Sequence, residues 1–130
     1  MRTYKLSLCL LVAATLFTLG GCKKEVLVKS QVAVVAINNC VAAPDEVKVH
    51  ENDQVDWQAS DHDYTIRFND PNEPTANPIK VVHGGEHHPH LIHGHSGCDP
   101  LGHGEFYCKY RLTKDSDPSP CADPGVHIIP

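Results

Sequence analysis

The chain has 130 residues and a formal net charge of −5 at pH 7, with 11 Lys and Arg against 16 Asp and Glu. This length leaves room for one ordinary domain once an N-terminal leader is set aside. The acidic balance argues against nucleic acid as a partner. No phosphate-binding loop or dinucleotide fingerprint is present, so nucleotide-dependent activities are not indicated.

The N-terminus has the pattern of an export signal. Arg2 and Lys5 precede an apolar run over residues 6–19, which is too short to span a membrane comfortably and is followed by small residues. The run ends in an LGGC motif whose last residue is Cys22. This motif resembles the bacterial lipoprotein box, in which the cysteine is lipidated and becomes the first residue of the mature protein.

The resemblance implies three segments. We expect residues 1–21 to be a lipoprotein signal peptide, residues 22–31 a lipidated tether, and residues 32–130 the folded domain. Loss of the two basic residues of the signal changes the formal charge from −5 to −7. The implied location is the bacterial cell envelope, with the lipid in a membrane. Because residue 23 is Lys and not Asp, the family rule favours the outer membrane, facing the periplasm or the cell surface.

Four cysteines follow the lipidated one: Cys40, Cys98, Cys108 and Cys121. An even number in a small exported domain predicts two disulfides, for which three pairings exist. We favour Cys40 with Cys121 and Cys98 with Cys108. The alternative is that some of them are free thiolates that bind a soft metal.

The mature chain shows short segments that alternate between apolar and polar residues and are separated by turn residues. No helical periodicity of useful length appears, so the pattern favours a β-sandwich or barrel. The predicted strands are 32–37, 46–50, 54–58, 64–68, 79–82, 104–113 and 125–129. The first is almost continuously apolar, which predicts a strand covered on both faces. Residues 114–120 are predicted to form a polar turn.

The inward side of three strands can be assigned from the alternation. The predicted core residues are Val55, Trp57, Tyr64, Ile66, Phe68, Phe106, Cys108, Tyr110 and Leu112. We expect these aromatic residues to pack in the core and not to bind a cofactor.

Several of these strands resemble those of the cupredoxin family. Residues 44–57 have the family's order of a proline, alternating valines, a turn and a valine-x-tryptophan strand, and residues 104–110 resemble its glycine-then-aromatic strand. Residues 123–129 resemble the closing strand of a cupredoxin-like branch. The resemblance implies a small Greek-key cupredoxin-like β-sandwich. It supports the fold more than the activity.

The ligands of a type 1 copper site do not follow the family pattern. Such a site uses two His, one Cys thiolate and a weak axial ligand, commonly Met. The only methionine is Met1. Tyr64 stands where the first histidine is expected, and Cys108 lies inside a strand and is followed by Lys109. The sequence therefore predicts a cupredoxin-like fold without the blue copper centre.

Residues 83–103 form a histidine-rich segment. Seven of the ten histidines fall here: His83, His87, His88, His90, His93, His95 and His103. The remaining three, His50, His62 and His127, are predicted to be ordinary surface residues. Because Gly84, Gly85, Pro89 and Gly94 interrupt regular structure, we expect the segment to be a loop without strands.

Imidazole nitrogens suit copper, zinc and nickel ions. Two pairs, His88 with His90 and His93 with His95, have the i, i+2 spacing that places both side chains on the same side of an extended backbone. Asp99 or Glu86 would add an oxygen ligand. The alternatives are a solvated polar loop with no metal role, or an acid sensor that becomes cationic between about pH 5 and 6.

Together these features predict a non-enzymatic, lipid-anchored envelope protein that binds copper, zinc or nickel through the histidine-rich segment. Its role would be storage, buffering or transfer of the metal. A metal-independent structural or partner-binding domain is the first alternative, and a blue-copper-type electron carrier is the second. The sequence identifies no protein partner, and it contains no convergent set of catalytic residues.

Overall fold

A computed structural model of the protein describes residues 29–130. The predicted signal peptide, Cys22 and most of the predicted tether lie outside these residues. The described part is all-β, and it contains no helix that is long and apolar enough to cross a membrane. The first strand begins at Val32, where the predicted tether ends.

The described residues form eleven strands: β1 (Val32–Asn38), β2 (Val41–Ala43), β3 (Glu46–His50), β4 (Gln54–Ala59), β5 (Tyr64–Phe68), β6 (Ile79–Val81), β7 (His90–Leu91), β8 (Asp99–Gly102), β9 (Glu105–Lys114), β10 (Asp117–Pro120) and β11 (Gly125–Ile129). One sheet has the order β2-β1-β4-β7, and the other has the order β3-β11-β9-β5-β6. In the second sheet β8 and β10 also pair with β9. The predicted all-β sandwich is confirmed.

The two sheets pack through aromatic residues at the centre. Trp57 of β4 meets Tyr110 of β9 edge-on, with ring centroids 5.9 Å apart, and Phe68 of β5 lies 5.3 Å from Tyr110. The indole Nε1–H of Trp57 donates a hydrogen bond of 3.2 Å to the Tyr110 hydroxyl. Burial raises the pKa of Tyr110 to about 12, so the hydroxyl stays neutral. The predicted core is confirmed except at Phe106, which is half-buried.

β1 differs from the prediction of a strand covered on both faces. Val35 and Ile37 are fully buried, but Val32 and Val34 on the opposite side are 50% and 49% exposed. The outer face of the four-stranded sheet therefore has no complete second layer in the described part of the chain. A β-branched apolar run indicates strand propensity, and it does not by itself show how many layers cover the strand.

The prediction of a histidine-rich segment without strands is wrong. β7 pairs antiparallel with the start of β4, where Leu91 faces Gln54 and His90 faces Val55. β8 pairs with β9, with Asp99 opposite Tyr107. The predicted polar turn at 114–120 also contains a strand, because β10 folds back on the end of β9. Each of these short strands pairs with part of a longer strand: β7 pairs with β4, and β8 and β10 pair with β9.

Two disulfides join the elements, in the pairing that we favoured. Cys40–Cys121 links the turn after β1 to the segment after β10, with Cα atoms 5.1 Å apart and a sequence separation of 81. Cys98–Cys108 links the end of the histidine-rich segment to β9, with Cα atoms 4.3 Å apart and a separation of 10. The first closes most of the domain into one covalent loop, and the second closes only a hairpin.

The two disulfides should differ in their contribution to stability. Chain-entropy arguments give about 4–5 kcal/mol for the long loop of Cys40–Cys121 and about 3 kcal/mol for the short loop of Cys98–Cys108. We expect replacement of both cysteines of the first pair by Ser to lower the free energy of unfolding more than the same replacement of the second pair. Urea denaturation of the two double variants measures this, and equal losses would contradict it.

The Asp53 side chain links the residue before β1 to the turn between β3 and β4 through hydrogen bonds. Its carboxylate accepts hydrogen bonds from the backbone N–H of Gln31 at 2.9 Å and of His50 at 2.8 Å. Burial raises the pKa of this carboxyl, but the two backbone donors and the His50 side chain lower it by more, so it ends below its usual value. The folded state therefore favours the ionised form.

Asp53→Asn should reduce stability at neutral pH by about 1–2 kcal/mol, because one acceptor of charge-assisted bonds is lost. Since the folded-state pKa is lowered, this stabilisation is present above the ordinary aspartate pKa of about 3.9 and is lost as the pH falls through the lower folded value. Urea midpoints of the variant and the wild type should thus converge in acid. The exposed Asp99→Asn serves as control, and a gap that persists at low pH would argue against this role.

Candidate metal-binding site

The histidine-rich segment closes one open edge of the sandwich. β7 pairs only with Gln54 and Val55, which leaves the rest of β4 without a strand partner on that side. The segment follows β6, which belongs to the other sheet. Its Gly84 backbone N–H donates to the carbonyl of Ala59, at the end of β4, at 3.4 Å. Gly84 has a φ of 62°, a left-handed conformation that glycine adopts without strain. Residues 83–89 therefore cross from one sheet to the other beside the end of β4, which has no strand partner on that side.

A cavity of about 540 Å³ lies at this crossing, and we call it the histidine groove. Its walls come from the end of β4, from β6 and from the crossing segment. Three of the seven predicted metal-binding histidines line it, His87, His88 and His90, together with Trp57, Gln58 and Glu86. All three come from one short stretch of backbone, residues 87–90, which includes the first residue of β7.

His90 is the most protected of the seven. It is half-buried, and its ring centroid lies 5.8 Å from that of Trp57. Burial lowers the pKa of the His90 imidazole, the neighbouring His88 lowers it further, and Asp56 acts in the opposite direction. A metal ligand must be neutral, so this environment favours the form of His90 that can coordinate.

His87 contacts a carboxylate that the sequence analysis did not identify. Its Nδ1 lies 3.2 Å from Oδ2 of Asp56, whose side chain is only 6% exposed, whereas the His87 side chain is 63% exposed. Gln58 donates to the same oxygen at 2.7 Å. The alternation of β4 indicates only that Asp56 faces away from the core, and nothing local in the sequence signals that the crossing segment covers it.

The other four histidines lie elsewhere. His95 contacts Glu51, with 3.0 Å between Nδ1 and Oε1, and stacks on Phe106 with ring centroids 3.7 Å apart. His83, His93 and His103 are exposed. In residues 29–130 no three His, Cys, Asp or Glu side chains already lie close enough together to hold a metal ion. Of the seven predicted histidines, the structure thus places three in the lining of the histidine groove and four outside it.

The two predicted oxygen donors also separate. Glu86 lines the histidine groove. Asp99 lies exposed on β8, which pairs with β9 in the other sheet. Glu86 therefore remains available to the three histidines, and Asp99 does not line the groove.

His127 is not the surface residue that we predicted. It is 8% exposed, and its ring lies between two carboxylates, with Nδ1 2.9 Å from Glu46 and Nε2 2.7 Å from Glu105. β11 lies between β3 and β9, so both neighbouring strands supply an acid. Both ring nitrogens are used in these contacts, and His127 is therefore a structural residue of the second sheet.

All four cysteines of the described chain are in disulfides, so none of them offers a thiolate. Tyr64, which stands at the expected position of the first copper histidine, is fully buried. Its hydroxyl accepts from the Cys40 backbone N–H at 3.1 Å and donates to Asp61. Tyr64 is thus a core residue, and Cys108 is a disulfide residue.

No protein-family model matches the chain, and no curated protein shows significant similarity to it. The residues that line the histidine groove are therefore the basis for inferring a function.

The disulfide pairing can be tested directly. Mass spectrometry of the unreduced, alkylated and digested protein should recover Cys40 peptides joined to Cys121 peptides, and Cys98 joined to Cys108, with none of the four alkylated. Alkylation of Cys98 or Cys108 in the folded protein would show a free thiol and would reopen thiolate coordination of metal.

Proposed function

We propose that this protein is a lipid-anchored component of the bacterial cell envelope that binds a transition metal ion, copper, zinc or nickel, and stores, buffers or transfers it without catalysis. The observation that carries the proposal is the convergence of His87, His88 and His90 on one groove. Within the seven-histidine segment, these three line the same cavity, which supports the proposal.

The chemistry of the groove fits such an ion. Copper(II), zinc and nickel accept imidazole nitrogen, and a carboxylate such as Glu86 completes a mixed nitrogen and oxygen set. The exposed ring of His87 can rotate between staggered side-chain conformations at little cost. His90 is held against Trp57, so coordination would proceed by closure of mobile side chains onto a fixed one.

The proposed anchor limits how far the domain reaches from the membrane. Ser30 donates to the Asn52 carbonyl at 2.6 Å and Gln31 donates to Asp53, so the folded domain begins before β1. The eight residues from Cys22 to Lys29 span at most about 26–29 Å when fully extended. A domain on this tether would stay near the membrane surface and exchange metal with partners there.

One alternative is supported by a specific observation. The outer face of the four-stranded sheet exposes Val32, Val34 and Val41 at 50%, 49% and 56%. An exposed apolar patch of this kind often marks a protein contact. A metal-independent partner-binding domain would use this face and would not need the groove. A blue-copper electron carrier has less support, because the described chain offers no thiolate to the metal.

The proposal can be tested with copper(II), because Trp57 is the only tryptophan of the protein. Copper(II) bound at His90 would lie within a few ångströms of the indole and should quench its fluorescence. We expect saturable quenching in the micromolar range when the purified protein, kept in detergent, is titrated with copper(II).

Two matched variants locate the site. Replacement of His87, His88 and His90 by Ser should abolish the quenching and weaken metal binding by at least about tenfold, as expected for loss of the ligands. Replacement of the other four histidines by Ser, at positions 83, 93, 95 and 103, should leave both nearly unchanged. Equal losses in the two variants, or only millimolar and unselective binding by the wild type, would contradict the proposal.

A further inference from the structure

Asp56 is a buried carboxylate in an unusual place. It lies on the outer face of β4, opposite Val34, which is 49% exposed on the same face of the sheet. Asp56 itself is only 4% exposed, and its Oδ1 has no hydrogen-bond partner among the described residues. A buried carboxylate oxygen without a partner costs free energy, and such groups are normally paired with a cation or bound to a metal.

The side chains that contact Asp56 do not supply a permanent positive charge to its carboxylate. Gln58 is neutral and donates only to Oδ2, and the one ionisable partner in the described chain is His87, at 3.2 Å from the same oxygen. Within residues 29–130, no Lys or Arg forms an ion pair with Asp56. Both partners line the histidine groove, so the carboxylate lies directly behind the wall of the proposed metal site.

We propose that Asp56 is a positioning residue for the metal ligand His87. This inference rests on the proposed function and assigns one residue within it. The Nδ1 of His87 lies 3.2 Å from Oδ2 of Asp56, and a small rotation of the exposed ring would let its Nδ1–H donate to that oxygen. The lone pair on Nε2 would then be left for a zinc ion or another divalent metal. His88 and His90 supply the next two nitrogens from the same groove.

The chemical reason is the coupling between the two ring nitrogens. A hydrogen bond from one nitrogen of a neutral imidazole fixes the other as the acceptor, and a carboxylate partner also raises the basicity of that acceptor. In return, a divalent cation bound to Nε2 places positive charge one imidazole away from the buried carboxylate. That charge would offset part of the unfavourable burial of Asp56 and so contribute to the affinity for the metal.

The protein contains a comparison pair. His95 and Glu51 also make a contact between a ring nitrogen and a carboxylate, at 3.0 Å, but the Glu51 side chain is 49% exposed and the pair does not line the histidine groove. If any carboxylate next to any histidine strengthened metal binding, the two pairs would behave alike. The proposed role predicts that only the buried pair matters.

Zinc titration by calorimetry of the detergent-purified protein tests this prediction. Asp56→Leu removes the charge and the acceptor while it keeps the branching of the side chain, and it should weaken zinc binding by about 10–100-fold. Asp56→Asn, which keeps an acceptor without the charge, should recover part of the loss. Glu51→Gln should bind zinc as the wild type does. Because the His87 side chain is 63% exposed, loss of Asp56 leaves no buried charge without a partner, and a folding defect is not the expected outcome.

A double-mutant cycle separates positioning from a general structural role. In a His87→Ser background, Asp56→Leu should have no further effect on zinc affinity, because Asp56 acts through the removed ring. A loss of the same size in both backgrounds would overturn the inference.

The tautomer of His87 gives a second readout that needs no metal. Long-range ¹H–¹⁵N correlation spectra of the neutral ring should show Nδ1–H as the main form in the wild type and Nε2–H in Asp56→Leu. A wild-type ring with Nε2–H would overturn the inference. If the wild type binds zinc and Asp56→Leu binds it equally well, the role of Asp56 is overturned and the proposed function still stands. Absence of zinc and copper binding in the wild type would instead remove the proposed function and this role with it.

Discussion

The backbone of β4 needs hydrogen-bonding partners on both sides, and the chain supplies them unequally. β1 pairs with β4 over six residues, from Gln54 to Ala59. On the other side β7 pairs with only two of them. An unpaired edge invites association with other chains, so natural sheets cover or shorten such edges. Here the crossing segment 83–89 covers the gap, and it must do so because the chain has to pass from β6 to β7.

This requirement determines where the histidines go. A segment that covers an edge without forming a strand keeps many side chains free of the sheet, and its polar residues face solvent. His87, His88 and His90 thus line a groove instead of filling the core. His90 belongs to β7, and the register with Val55 places its ring beside Trp57. The site is therefore built by backbone pairing first and by side-chain contacts second.

The longer strands could be predicted from the sequence because their alternation is local. Tyr64, Ile66 and Phe68 repeat every two residues and are all buried. β7 and β8 could not be predicted, because β7 has only two residues and β8 contains Pro100 and Gly102. Only their pairing with β4 and β9 makes them strands. The exposure of Val32 and Val34 was missed for a related reason, since a second layer over β1 is a property of the whole fold.

The candidate site, too, could be predicted from the sequence only in part. Composition alone identified the seven histidines, and the even number of cysteines predicted two disulfides. Only the fold shows that three histidines share a groove and that Cys98 and Cys108 are joined within a hairpin. Asp56 reads in the sequence as an ordinary outward residue between Val55 and Trp57. Its burial depends on a segment about thirty residues away, and no local pattern reports such a contact.

The position of β11 has a consequence for the order of folding. It is the last strand of the described chain, yet it lies between β3, with which it runs parallel, and β9. A chain that emerges with its N-terminus first therefore presents β3 long before the strand that joins it to the rest of its sheet. Pairings of such high sequence separation form slowly. A chain of this topology completes its second sheet only when residues 125–129 are available, and until then β3 lacks the one strand with which it pairs in the described residues.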